Sequence, residues 1–186
     1  YEGQWEVVGV QTEPVIPPYN IEYLVVASGG GGGSETSPYV IGAGGGGAGG
    51  YLSSSIDSVA AGTSITITVG AGGNLNTNGQ DSSISGTGIS TLTAIAGGNG
   101  GYRTDGLTGG DGGSGGGAAA IVGESPGSGT AGQGNDGGSG AQGANFPSTY
   151  YGGGGGGAGE NGSTDGNGQG GDGLQSSITG TATYYA

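Results

Sequence analysis

Residues 21–33 read IEYLVVASGGGGG, an apolar segment joined directly to a pure glycine block. IEYLVVA has the composition of a strand. Five consecutive glycines cannot continue as an ordinary strand or turn into a helix, because glycine weakens both. What the chain does after Ala27 therefore decides the fold, and the question recurs along the whole sequence. Glycine-dominated runs stand at 29–33, 43–50, 97–101, 109–117 and 152–159, with shorter ones at 70–73, 137–143 and 168–173. Either these blocks are flexible linkers, or they are stacked extended helices in which the missing side chains are the point.

The spacers favour the second reading. Gly/Ser linkers carry little apolar sequence between them, whereas this chain has ITITV at 65–69, LTAIA at 92–96 and AAAIV at 118–122. In ITITV the apolar residues Ile65, Ile67 and Val69 share one face. Collagen would need a strict G-X-Y period and abundant proline. The 56 glycines here have no such period, and there are six prolines. The remaining ordered conformation is polyglycine II, with three residues per turn and a rise of about 3.1 Å per residue. Only glycine lets such helices approach on every side and satisfy each other's backbone N–H and C=O groups. The expected fold is mainly β and irregular: short strands plus layered polyglycine II helices, with no α-helix, since no 3.6-period amphipathic segment exists.

Composition excludes several function classes. The formal net charge is −13, with Arg103 the one basic residue. Phosphate binding needs a basic footprint, so nucleic acid is not an expected partner. No apolar run approaches the ~18 residues of a membrane span, so no membrane insertion is expected. Without His, Lys or Cys, a Ser-His-Asp arrangement cannot form and a Walker A loop lacks its lysine. No pair of carboxylates sits in an apolar setting that would separate their pKa values. The expectation is a non-enzymatic protein without cofactor. Asp111, Asp136 and Asp172 sit within glycine, as in calcium-binding nonapeptide repeats, but they are not in tandem. No metal is therefore expected.

Along the chain, residues 1–20 stand apart: QWEVVGV at 4–10 reads as a short strand carrying Trp5, and EPVIPPYN at 13–20 as a stiff connector. The glycine-rich unit is read as 21–186. Within it, Ser37-Pro38 and Asn78-Gly79 read as turns, the latter inside a polar loop at 74–82. AAGT at 60–63 reads as the turn between two strands of residues 51–69. Short loops between runs of similar length imply up-and-down packing with loops at the two ends. Tyrosine is the dominant aromatic, and bulky residues gather in the loops YRTDGLT at 102–108 and ANFPSTYY at 144–151. Rigid tyrosines among Ser, Gly and Asn are typical of recognition loops. The same rings could instead cover the ends of the glycine layers. The candidate receptor-binding residues are Tyr102, Arg103, Asn145, Phe146, Tyr150 and Tyr151.

The ordered series YLVVASGGGGG, IGAGGGGAGGYL, GTSITITVGAGG, TAIAGGNGG, GGSGGGAAA, GTAGQGNDGGSG, GGGGGGAG and GGDGLQSSITGTATYYA resembles the glycine-rich domain of bacteriophage tail-fibre proteins over residues 21–186. More distantly it is similar to the distal tail-fibre adhesins of T-even-type phages. The resemblance implies layered polyglycine II helices with variable loops at a tip. It also implies a place in an extracellular virion appendage and other fibre proteins as partners, with homo-oligomers expected. The host ligand would be a surface saccharide or an outer-membrane protein. Residues 1–20 are too short for a fibre-attachment domain and the series breaks off at Ala186, so the chain reads as a piece of a longer protein. A purely architectural virion protein, or an ice-binding or matrix-like extracellular protein, is the alternative.

Overall fold

The computed structural model describes residues 9, 16–34, 42–102, 108–120, 124–142, 150–163 and 168–186. Trp5 and Ser37-Pro38 lie outside them. Among the described residues there is no helix, and nine strands form four small antiparallel sheets. β1 (Tyr19–Val26) pairs with β2 (Tyr51–Val59). β3 (Ile65–Thr68), β4 (Ser82–Gly86) and β5 (Ile89–Ala94) form a three-stranded sheet in that order. β6 (Ala141–Gln142) pairs with β7 (Tyr150–Tyr151), and β8 (Leu174–Ser176) with β9 (Thr183–Tyr185).

Between the strands the glycine runs bond to one another through backbone groups, and the partners repeat every third residue. Gly44, Gly47 and Gly50 donate their N–H groups to Gly101, Gly98 and Ile95. The same three residues accept through their carbonyls from Gly33, Gly30 and Ala27. One residue on, Gly45 and Ala48 donate to Gly153 and Gly156, and accept from Gly117 and Ser114. One run is thus bonded to four others. A period of three is that of an extended helix of the polyproline II type. A strand, whose sides alternate every second residue, would give a period of two.

Approach between runs is as close as backbones allow. A Cβ on Gly44 would overlap the Gly117 carbonyl, and one on Gly46 the Gly30 carbonyl. Such crowding requires glycine, and its reward is that nearly side-chain-free backbone has its buried polar groups paired. The conventional apolar core is small: Val25, Ala27 and Ala94, with Tyr23, Leu52 and Ile84 against them. Of the AAAIV spacer, Ala118, Ala119 and Ala120 are described and buried. They extend a glycine run, with Ala118 donating to Gly138 and Ala120 to Gly42.

Two sequence expectations are corrected. Asn78-Gly79 is not a hairpin turn, and Gly79 is not among the positive-φ glycines. The turn lies just before it, where Thr77 donates to the Asn74 carbonyl. Asn78 instead bridges runs, accepting from the Asn99 N–H and donating to the Asp111 carbonyl. The polar loop expected to end at residue 82 gives way there to β4, a strand missed in the sequence because SSISG offers a single apolar residue. Its link to β5 uses Gly88 at φ 76°. AAGT does form the expected turn between β2 and β3, with Thr63 donating to Ala60 and Gly62 at φ 81°.

Candidate functional site

Hydrogen-bond registers define the direction of each run. Residues 27–33 run antiparallel to 44–50, since the pairs are 27/50, 30/47 and 33/44. Residues 97–101 run parallel to 28–32, and 114–117 parallel to 98–101. Residues 153–156 run parallel to 45–48, and antiparallel to 115–118 and to 135–138. The chain therefore ascends and descends a common axis.

This alternation gives the molecule two unlike ends. At one end, β1, β2 and β5 continue directly from the runs at Ala27, Gly50 and Ile95. At the other end stand Ser34 and Gly42, Gly101 and Tyr102, Ala120, Ala141 and Tyr150. The links are Gly33 to Gly44, Gly44 to Gly101, Ala120 to Gly42, and the β6–β7 pairing of Ala141 with Tyr151. The turn at Asn74–Thr77 joins them, because the Asn76 side chain accepts from the Ser34 N–H at 2.7 Å.

Three of the six sequence-predicted residues fall on this second end. Tyr102 follows Gly101, whose carbonyl accepts from Gly44 at 2.9 Å. Two residues before Gly44, the Cα of Gly42 lies against the Tyr150 carbonyl, which a Cβ there would meet at 2.9 Å. Two residues of such a helix cover about 6 Å, so the Tyr102 and Tyr150–Tyr151 backbones are brought to one face. Tyr102 and Tyr150 are half-buried, and Tyr151 is 43% exposed. Arg103, Asn145 and Phe146 lie outside the described residues.

Polar side chains at the rim of the lattice serve as latches between runs. The Asp111 carboxylate accepts from the Ser128 N–H at 2.7 Å, and the Asp136 carboxylate from the neighbouring Gly129 N–H at 2.8 Å. Asp81 accepts from the Ala96 N–H. Gln133 accepts from Ile95 and donates to Thr93. Among the described residues no three carboxylates gather as a metal site. The sequence marked Asp111 and Asp136 by their glycine surroundings, but not their bonding, which depends on runs distant in sequence.

Among the described residues, clefts open at the strand-bearing end, and three of them bear on the reading. Two, of about 560 Å³ each, are lined mainly by Ser53–Ser55 and Ser176–Ser177, and by Tyr51, Gln133 and Asn135. The third, of about 490 Å³, is apolar and runs between the two larger sheets past Ile21, Ile56, Ile65, Ile67, Ile84 and Ile178. Glu22 is the one carboxylate lining any of these three, so none of them holds a paired acid and base. No described helix is long and apolar enough to cross a membrane.

No curated protein and no solved structure matches the chain. The family model described as "Glycine-rich domain" matches residues 9–186, nearly its full length. The chain belongs to this glycine-rich domain family.

Proposed function

We propose that this protein is a non-enzymatic display scaffold: the glycine-rich domain of a phage tail fibre, spike or similar virion appendage, presenting loops to a host surface. The observation that carries this reading is the collection of run ends at one pole, with Tyr102 and Tyr150–Tyr151 brought together there by the backbone lattice. A rigid frame holds loop side chains at low entropic cost, and tyrosine and arginine dominate binding energy at interfaces. A saccharide is the favoured ligand, stacking on tyrosine and taking hydrogen bonds from Arg103 and Asn145; an outer-membrane protein loop is the other ligand class. The lack of His, Lys and Cys is the sequence feature behind the reading of a role without catalysis or cofactor. The half-burial of Tyr102 and Tyr150 favours the competing reading, in which these rings only cover the lattice end of an architectural virion protein.

A bacterial-surface saccharide array separates the two. Binding that falls at least about tenfold in Tyr102→Ala or Tyr151→Ala, at a melting temperature within about 2 °C of the parent, supports recognition; tenfold corresponds to about 1.4 kcal/mol. Loss of stability with binding per folded molecule intact assigns the rings to packing. Immuno-electron microscopy of particles carrying the protein provides the positional test, since the reading requires the epitope at a distal tip.

A further inference from the structure

We propose that the outer edge of β3 is a self-association surface, at which two copies of this chain pair strand to strand about a two-fold axis through Ile67. β3 lies at the edge of its sheet, bonded to β4 on one side. Among the described residues no backbone group of 64–69 bonds outside that sheet. Such an edge is a template for another strand unless charge, proline or a bulge blocks it. Here nothing does: β3 pairs with β4 in unbroken register, and no charged residue or proline stands between Asp57 and Asp81. β4 and β5 carry no charge either. In a chain of net charge −13, a second copy is repelled over most of the surface and meets least resistance where charge is absent.

The sequence of the edge selects a second copy rather than a different partner. Residues 64–70 read SITITVG, which is self-complementary about Ile67. In antiparallel pairing centred there, Ile67 faces its own counterpart, Ile65 faces Val69, and Thr66 faces Thr68. Directly opposed residues share a face, so one face of the joint becomes apolar and the other a row of threonines. This accounts for exposures the single chain leaves unexplained. Ile67 is 67% exposed and Val69 81%, although Ile67 shares its face with its cross-strand partner Ile84, which packs on the core. The joined sheet would have six strands, and the apolar clefts of the two copies would meet across Ile67. Symmetry of this kind is isologous and closed, giving a dimer and not a filament. A seven-residue edge buries less than the roughly 1,200 Å² of a standard stable interface, so the dimer is reversible. The inference does not depend on the host-recognition reading, which concerns the opposite end.

Sedimentation velocity on the full chain from about 5 µM to 1 mM, the range of a reversible interface of this kind, tests it. The parent is expected to shift from monomer to dimer. Ile67→Asp and Ile67→Lys each place like charges face to face at the axis and should weaken association more than tenfold. Mixed one to one, the two variants should associate again, because the axis then sets Asp against Lys. A misfolded variant would not be rescued by its partner. A parent that stays monomeric throughout overturns the proposal. So does a dimer that survives both charges, or two variants that stay monomeric when mixed.

Discussion

The Cα of Gly154 stands against the carbonyl oxygen of Gln169, so close that a Cβ would overlap it. Gly155, the next residue, stands in the same way against the Gly46 carbonyl on a different run. Two successive glycines thus face two neighbours, and neither can yield, because what they touch is backbone. Gly154→Ala and Gly155→Ala should each destabilise the fold by about 1–3 kcal/mol or more, the range for overpacking a tight interior. Gly72 has open space where its Cβ would stand and no positive φ. Gly72→Ala should be neutral or stabilise by up to about 1 kcal/mol, by narrowing the unfolded ensemble. Urea denaturation of the three variants checks the contrast, and equal midpoints for all three would mean that the runs are not packed.

Amide hydrogen exchange distinguishes lattice from linker without mutation. The N–H groups of Gly47, Gly98 and Gly117 donate to neighbouring runs at 2.8, 3.0 and 2.8 Å and should exchange on the timescale of the β1–β2 amides. Gly62 and Gly88 sit in exposed turns and should exchange early. Runs that exchange as fast as these turns would contradict the hydrogen-bond network.

How much of this was legible in the sequence differs by level. The order of the runs and the strands up to β3 could be read because Ile65, Ile67 and Val69 alternate and because a block such as 152–157 admits few conformations; β4 and the short β6 to β9 could not. The neighbours of each run could not. A glycine has no side chain to mark a face, so 44, 45 and 46 look identical in sequence while pointing at different runs. The turn at Asn74–Thr77 was misplaced to Asn78-Gly79 for a related reason: the Asn78 side chain is committed to Asn99 and Asp111, partners that local turn chemistry does not see. Tyr102, Tyr150 and Tyr151 stood out as bulky residues amid glycine, but their convergence rests on the bond of Gly44 to Gly101 and the close approach of Gly42 to Tyr150.

Ser114 is fully buried at the reversal between two runs, and its Oγ has no hydrogen-bond partner. A buried hydroxyl left unpaired costs about 1–3 kcal/mol. Ser114→Ala removes the hydroxyl and keeps the Cβ, so its melting temperature should equal or exceed that of the parent. A clear fall in thermal denaturation would show that the hydroxyl contributes to the fold.

The Asp111 and Asp136 carboxylates are already engaged by the consecutive amides of Ser128 and Gly129. Both carboxylates are exposed, so Asp111→Ala and Asp136→Ala should each lose about 1 kcal/mol, the typical net contribution of a hydrogen bond. Asp111→Asn, which keeps an acceptor oxygen, should lose less. A chelator should leave the parent's melting temperature unchanged. A fall on chelation, restored by calcium, would give these residues a different role.

The bonds from Gly45 to Gly153 and from Ala48 to Gly156 each join residues separated by more than half the chain. A glycine run gains nothing from coiling alone, since an isolated polyproline II helix has no internal hydrogen bonds. Every run must wait for distant partners before its ordering is repaid, and loop closure comes before reward. Refolding should therefore be slow for a chain of this size and strongly all-or-none. Once assembled, the 42–50 run can leave only by breaking with four neighbours together. The same topology that delays arrival also delays departure, giving the folded molecule a long lifetime that its small apolar core would not provide.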